Sequence, residues 1–174
     1  MTKEEFTTGI DEWSNHRLLL YPALEATKHL KLPVLEMGCG NGSTPYLKQY
    51  CKDEGLQLCS FDNNKEWAKK FGANYCPDWD FMAWFYKMQY SVVLVDEAPG
   101  EHRKVALELF KQFPIHAQII VVHDSEPVGW NSSDYQVRPI IEKFKYYQDL
   151  ISKNTGGAWA TICSMTIDVT DFKI

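Results

Sequence analysis

The 174-residue sequence carries 18 basic and 23 acidic side chains, a net charge of -5, with 45% hydrophobic and 14% aromatic residues. That length suits one domain with a full core, and the composition excludes disordered, collagen-like and fibrous chains. The acidic balance offers no general attraction for phosphate backbones or anionic membranes, so nucleic acid is not the expected partner. Residues 1–31 read as a polar, helical segment capping the unit. Beyond it, short β-rich runs alternate with helix-compatible stretches, the order that a parallel sheet with crossover helices requires. Strands are expected at Pro33–Met37, Leu56–Phe61, Ala73–Cys76, Ser91–Val95 and Gln118–His123. The intervening helices are expected at Ser43–Asp53, Lys65–Phe71, Trp79–Met88 and Glu101–Phe113. Ser43 and Thr44 before Pro45 read as an N-cap and a first-turn proline. A loop-like stretch, HDSEPVGWNSSDYQ, leads to a short helix at Val137–Lys143. Lys145–Leu150 and Trp159–Ile167 then flank the polar turn SKNTGG as a closing antiparallel hairpin. No repeat or linker interrupts the chain, so residues 1–174 are expected to form one α/β unit.

The most informative segment is VLEMGCGNGS, from Val34 to Ser43, where an apolar strand runs into Gly38, Gly40 and Gly42 and then a helix. Glycines at alternate positions permit unusual φ and let a ligand approach the backbone without Cβ clashes. A dinucleotide fingerprint would need glycine where Ser43 stands, and no phosphate loop of the GxxxxGK[ST] type is present. With Glu36 two residues before the first glycine, the segment resembles motif I of class I S-adenosylmethionine-dependent methyltransferases. The resemblance covers most of the chain and implies a Rossmann-like, doubly wound, mostly parallel seven-stranded sheet that ends in an antiparallel hairpin.

The same resemblance implies S-adenosylmethionine as cofactor and assigns to it Glu36, Gly38, Cys39, Gly40, Asn41, Gly42, Asp62, Asn63, Asp78, Trp79, Asp96, Glu97 and Arg17. Asp62, about 20 residues past the glycines, suits the ribose hydroxyls as in dinucleotide folds, or else caps the next helix. Asp78, with Asp80 as the competing acid, is placed at the adenine amino group. Trp79 either lies against the ring or belongs to the core. Arg17 either meets the methionyl carboxylate or is a solvated helix residue.

Catalysis is assigned to Asp96, His123 and Asp124, at the ends of the fourth and fifth strands, with His102 and Arg103 nearby. His123 reads as a general base or as a satisfied strand-end residue. Asp96 and Asp124 also match the Mg²⁺ ligands of catechol-type O-methyltransferases, but Ser125 replaces the amide that follows there, and no metal site is assigned. Arg17 lies beside Asn15 and His16 in a segment that folds over the cofactor in many small methyltransferases.

The expected reaction is methyl transfer to an oxygen or nitrogen of a small-molecule acceptor. The Pro-Pro-aromatic turn of exocyclic-amine methyltransferases and a catalytic Pro-Cys pair are both missing from the sequence. The alternatives are an aminopropyltransferase-like enzyme or a non-catalytic nucleoside-binding module. Apolar runs such as 91–95 and 118–122 fall far short of the roughly 18–20 residues that span a bilayer. Residues 1–13 lack the order of a secretion signal, and five cysteines without CxxC spacing read as reduced, mostly buried thiols. A cytoplasmic location without membrane contact is therefore expected.

Overall fold

The computed structural model describes residues 1–11, 13–79, 87–127, 135–151 and 159–173. Two helices, α1 (Lys3–Thr7) and α2 (Arg17–Thr27), precede β1 (Val34–Met37), α3 (Thr44–Glu54), β2 (Leu58–Asp62), α4 (Lys65–Phe71) and β3 (Asn74–Tyr75). The second half carries β4 (Tyr90–Val95), α5 (Glu101–Gln112), β5 (Ala117–His123), α6 (Arg138–Ile141), β6 (Tyr146–Ile151) and β7 (Trp159–Ser164). The strands form one seven-stranded sheet in the order β3-β2-β1-β4-β5-β7-β6. The first five run parallel, and β7 pairs antiparallel with both β5 and β6. This is the α/β, Rossmann-like sheet with a terminal antiparallel hairpin that the sequence implies. Strand order reverses between β1 and β4, which opens a ligand crevice at their carboxyl ends.

The central strands are buried on both faces, which is why they read as continuous apolar runs rather than alternating ones. Val93, Val95, Ile120 and Val122 pack with Met37, Phe110 and Ile141 on one face. Val92, Leu94, Ile119 and Val121 pack with Leu19, Leu24, Leu47 and Phe6 on the other. Two-residue side-chain periodicity distributes each strand between the two layers.

Side chains and glycines set the element ends. Helices α3 and α4 both stop at left-handed glycines, Gly55 and Gly72. Ser43 occupies the N-cap position of α3, but its hydroxyl donates to Glu36 at 2.5 Å and makes no cap bond. The cap of α4 is Asn64, which accepts from the Trp67 amide at 3.0 Å, so the capping role considered for Asp62 belongs to Asn64. The last strand stops at Ser164 rather than Ile167, because the Ser164 hydroxyl accepts from the amides of Thr166 and Ile167 and turns the chain.

The polar turn at 152–157, Asp80, Trp130 and most of the helix expected at Trp79–Met88 lie outside the described residues. All five cysteines are free thiols, four of them buried. No helix among the described residues is long and apolar enough to cross a membrane.

Candidate active site

The three glycines after β1 do different work. Gly38 adopts φ +89, and a Cβ there would collide with the Asp96 carbonyl, so it lets the ends of β1 and β4 close together. Gly42 lies under the N-terminal segment, where a Cβ would stand 2.7 Å from the Trp13 carbonyl. Among the described residues Gly40 faces open space, with nothing nearer to its Cβ position than the Gly42 amide at 4.0 Å. It is the one glycine of the turn whose missing side chain leaves room for a ligand.

Glu36 is placed differently from its assigned role. It is fully enclosed and accepts hydroxyls from Ser43 at 2.5 Å, Thr44 at 2.9 Å and Ser60. The acid organises the turn from beneath instead of facing a ligand. Burial pushes its carboxyl up to about 7, against the opposing pull of the three hydroxyl donors.

Asp62, at the end of β2, accepts from the Cys39 amide at 3.0 Å and the Asn64 amide at 2.7 Å. Oδ1, which takes only the Asn64 amide among the described residues, keeps a second lone pair, so acceptor capacity remains for a hydroxyl. The Cys39 thiol also points at Asp62, at 3.4 Å, and burial pushes it up to about 12, which removes it as a nucleophile. Trp67 donates its indole N–H to the Cys39 carbonyl at 2.5 Å, a support for the turn that lay too far along α4 to be read from the motif.

Asn63 and Trp79 both donate to the Ala98 carbonyl, at 2.6 and 3.1 Å, tying the ends of β2 and β3 to the loop after β4. Trp79 is buried in the core, whereas Asp78 and Asn41 are exposed.

The catalytic candidates converge. His123 Nδ1 lies 3.1 Å from Asp96 Oδ1 and 3.5 Å from Asp124 Oδ2. Burial raises the Asp96 carboxyl, but the His123 ring and Arg103 outweigh it and hold the group down at about 2. An ionised Asp96 accepts only, so Nδ1 carries the proton and the ring is held in one tautomer.

Arg103, buried at the start of α5, reaches Asp96 at 3.1 Å, Asp124 at 3.3 Å, and the carbonyls of His123 and Glu97 at 2.7 and 2.8 Å. The cation shared by the two acids matched to Mg²⁺ ligands is thus this guanidinium. Ser125 turns away to Thr161, at 2.7 Å. Tyr135, which sequence reading did not single out, stacks its ring 4.2 Å from the Arg103 guanidinium and fills the space a side chain on Gly100 would need.

Two further groups border this cluster. Glu97 is fully buried with neither oxygen hydrogen-bonded to a described residue, and burial pushes its carboxyl up to about 8 against the pull of Arg103. It lies inside the protein and not at the mouth of the site. His16, from the N-terminal segment, meets His123 edge to face with centroids 4.7 Å apart. Arg17 is buried rather than solvated, and it lines a cavity together with Asn41, Gly42 and Tyr46. Its guanidinium donates to the carbonyls of Phe6 and Thr8, at 3.0 and 3.1 Å, and stacks 3.7 Å from the Tyr46 ring.

No protein-family profile and no curated protein matches the chain. Solved structures do. A SAM-dependent methyltransferase from Archaeoglobus fulgidus is similar with a TM-score of 0.55 and 15% identity, over 93% of this chain and 97% of that one. Spermidine synthase bound to the transition-state analogue AdoDATO is similar with a TM-score of 0.61 and 14% identity, over 94% of this chain and 63% of that one. Monomeric WbdD, a bifunctional kinase-methyltransferase, gives 0.57 and 16% over 95% of this chain, which spans 46% of WbdD. The chain has the class I S-adenosylmethionine-dependent methyltransferase-like fold.

Proposed function

We propose that this chain transfers a methyl group from S-adenosylmethionine to an oxygen or nitrogen atom of a small-molecule acceptor. The observation that carries the reading is the opening at Gly40, beside Asp62 and on the same sheet edge as the Asp96–His123 pair. S-adenosylmethionine, when bound, supplies an electrophilic sulfonium methyl.

The backbone at Gly40 allows close approach of the cofactor, and the spare lone pair of Asp62 Oδ1 takes a ribose hydroxyl, with Asn63 alongside. Asp96 orients His123, which accepts the acceptor's proton as its oxygen or nitrogen attacks. Arg103 keeps Asp96 ionised and holds both Asp96 and Asp124 in place. Glu36, Arg17 and Trp79 act as positioning residues, since each is buried among protein groups. The acidic net charge favours a small acceptor over nucleic acid.

Calorimetric titration with S-adenosylmethionine and S-adenosylhomocysteine, with NAD as control, tests the cofactor. A screen of hydroxyl and amine acceptors for S-adenosylhomocysteine release then tests the reaction. Binding of NAD alone would overturn the reading. A second reading, aminopropyl transfer to an amine, is favoured by the spermidine synthase likeness. Turnover with decarboxylated S-adenosylmethionine instead of the intact cofactor would select it.

A further inference from the structure

His16, Asp96 and His123 come from three separate parts of the chain: the segment before α2, the end of β4 and the end of β5. One potential ligand atom from each lies within 4.8 Å of the other two. His123 Nδ1 and Asp96 Oδ1 are 3.1 Å apart, the spacing of two adjacent ligands on one ion with bonds of roughly 2.0–2.2 Å.

The second observation is independent of that spacing. His16 is 1% exposed, yet neither of its ring nitrogens has a hydrogen-bond partner among the described residues. A buried polar group without a partner is costly, and this one borders a carboxylate and a second imidazole.

Asp96 uses Oδ1 for Arg103 and His123, leaving Oδ2 without a partner among the described residues. Arg103 donates to the same Oδ1 and so fixes the carboxylate, as outer groups do for metal-ligating acids.

We infer that His16, Asp96 and His123 form a binding site for one imidazole-preferring transition-metal ion, such as Zn²⁺ or Co²⁺, with open positions facing the acceptor side. His123 would present Nδ1 in its other tautomer, and a small rotation of His16 would complete the set. Two nitrogens and one oxygen disfavour Mg²⁺, which prefers an all-oxygen shell. The site goes beyond the methyl-transfer reading, with His123 either a ligand through Nδ1 or a general base but not both at once, and it differs from the Asp96–Asp124 pair, whose shared cation is Arg103.

The test is titration of the purified full chain with Co²⁺ and with Zn²⁺, in excess Mg²⁺ and without cofactor, followed by calorimetry and visible absorption. One ion per chain is expected, with nitrogen/oxygen-type Co²⁺ bands and no thiolate charge transfer. His16→Ala and His16→Gln should each weaken binding by more than the roughly 10–100-fold that loss of a merely supporting group costs. Circular dichroism identifies a variant that fails to fold, and the milder His16→Gln or, failing that, Asp96→Asn then decides.

No uptake by folded protein, unchanged uptake in the folded variants, or a thiolate band would overturn the site. Cofactor titration is read separately, so loss of the metal site leaves the methyl-transfer reading standing, and the converse also holds.

Discussion

Gly38 and Gly40 stand two residues apart under opposite constraints, and substitution should separate them. Gly38→Ala forces a side chain onto the Asp96 carbonyl at a left-handed φ, so it should lower unfolding free energy by about 1–3 kcal/mol or more, read by urea denaturation. Gly40→Val meets open space and should leave the denaturation midpoint nearly unchanged while abolishing S-adenosylmethionine binding in calorimetry. Glu36 supplies a pH test. Its folded-state value of about 7 lies above the ordinary 4.5, so its contribution is complete below pH 4.5 and is lost as pH rises through 7. Glu36→Gln should therefore gain on the wild type across that window, by up to about 3 kcal/mol in denaturation experiments. A difference that does not vary with pH would mean that the acid is ionised throughout. His123→Ala should cost roughly 10²–10⁴-fold in turnover with cofactor affinity kept, the usual contribution of a positioned general base. Glycine spacing and strand-end acids were legible at this scale because they follow local backbone rules. The enclosure of Glu36 and Glu97 was not, because it depends on residues 7 to 24 positions away or on other strands.

Between elements, the connections are made by a few side chains. Arg103 joins the ends of β4 and β5 from the first turn of α5. Arg103→Ala would strand two carboxylates and two carbonyls, and a loss of about 3–5 kcal/mol is expected in equilibrium unfolding. Phe6 fastens α1 by packing against the rings of Tyr21, Tyr46 and Tyr50. Apolar runs and intervening helical segments made the elements readable, and α4 matches its expected Lys65–Phe71 bounds. Other ends moved by a few residues, because stops such as Ser164 depend on side-chain bonds to the backbone. The destinations of Arg17 and Arg103 were hidden for a different reason: each points to carbonyls brought near only by the tertiary fold, and charge alone suggested solvent or ligand.

For the molecule as a whole, the sheet brings residues from 16 to 124 to one edge, so the candidate site exists only when β1, β2, β4 and β5 are aligned. Alternation of strand and helix made that parallel arrangement readable. The hairpin adds a constraint of timing. β6 precedes β7 in the chain, yet β7 lies between β5 and β6. As the chain leaves the ribosome from its N-terminus, β6 emerges before β7, its partner in the sheet, and the edge of β5 stays uncovered until β7 arrives. β7 is made after β6 yet fills an interior place in the sheet, so a chain stopped before residue 159 would leave the edge of β5 and both edges of β6 unpaired, a risk of association with its neighbours that the arrival of β7 reduces.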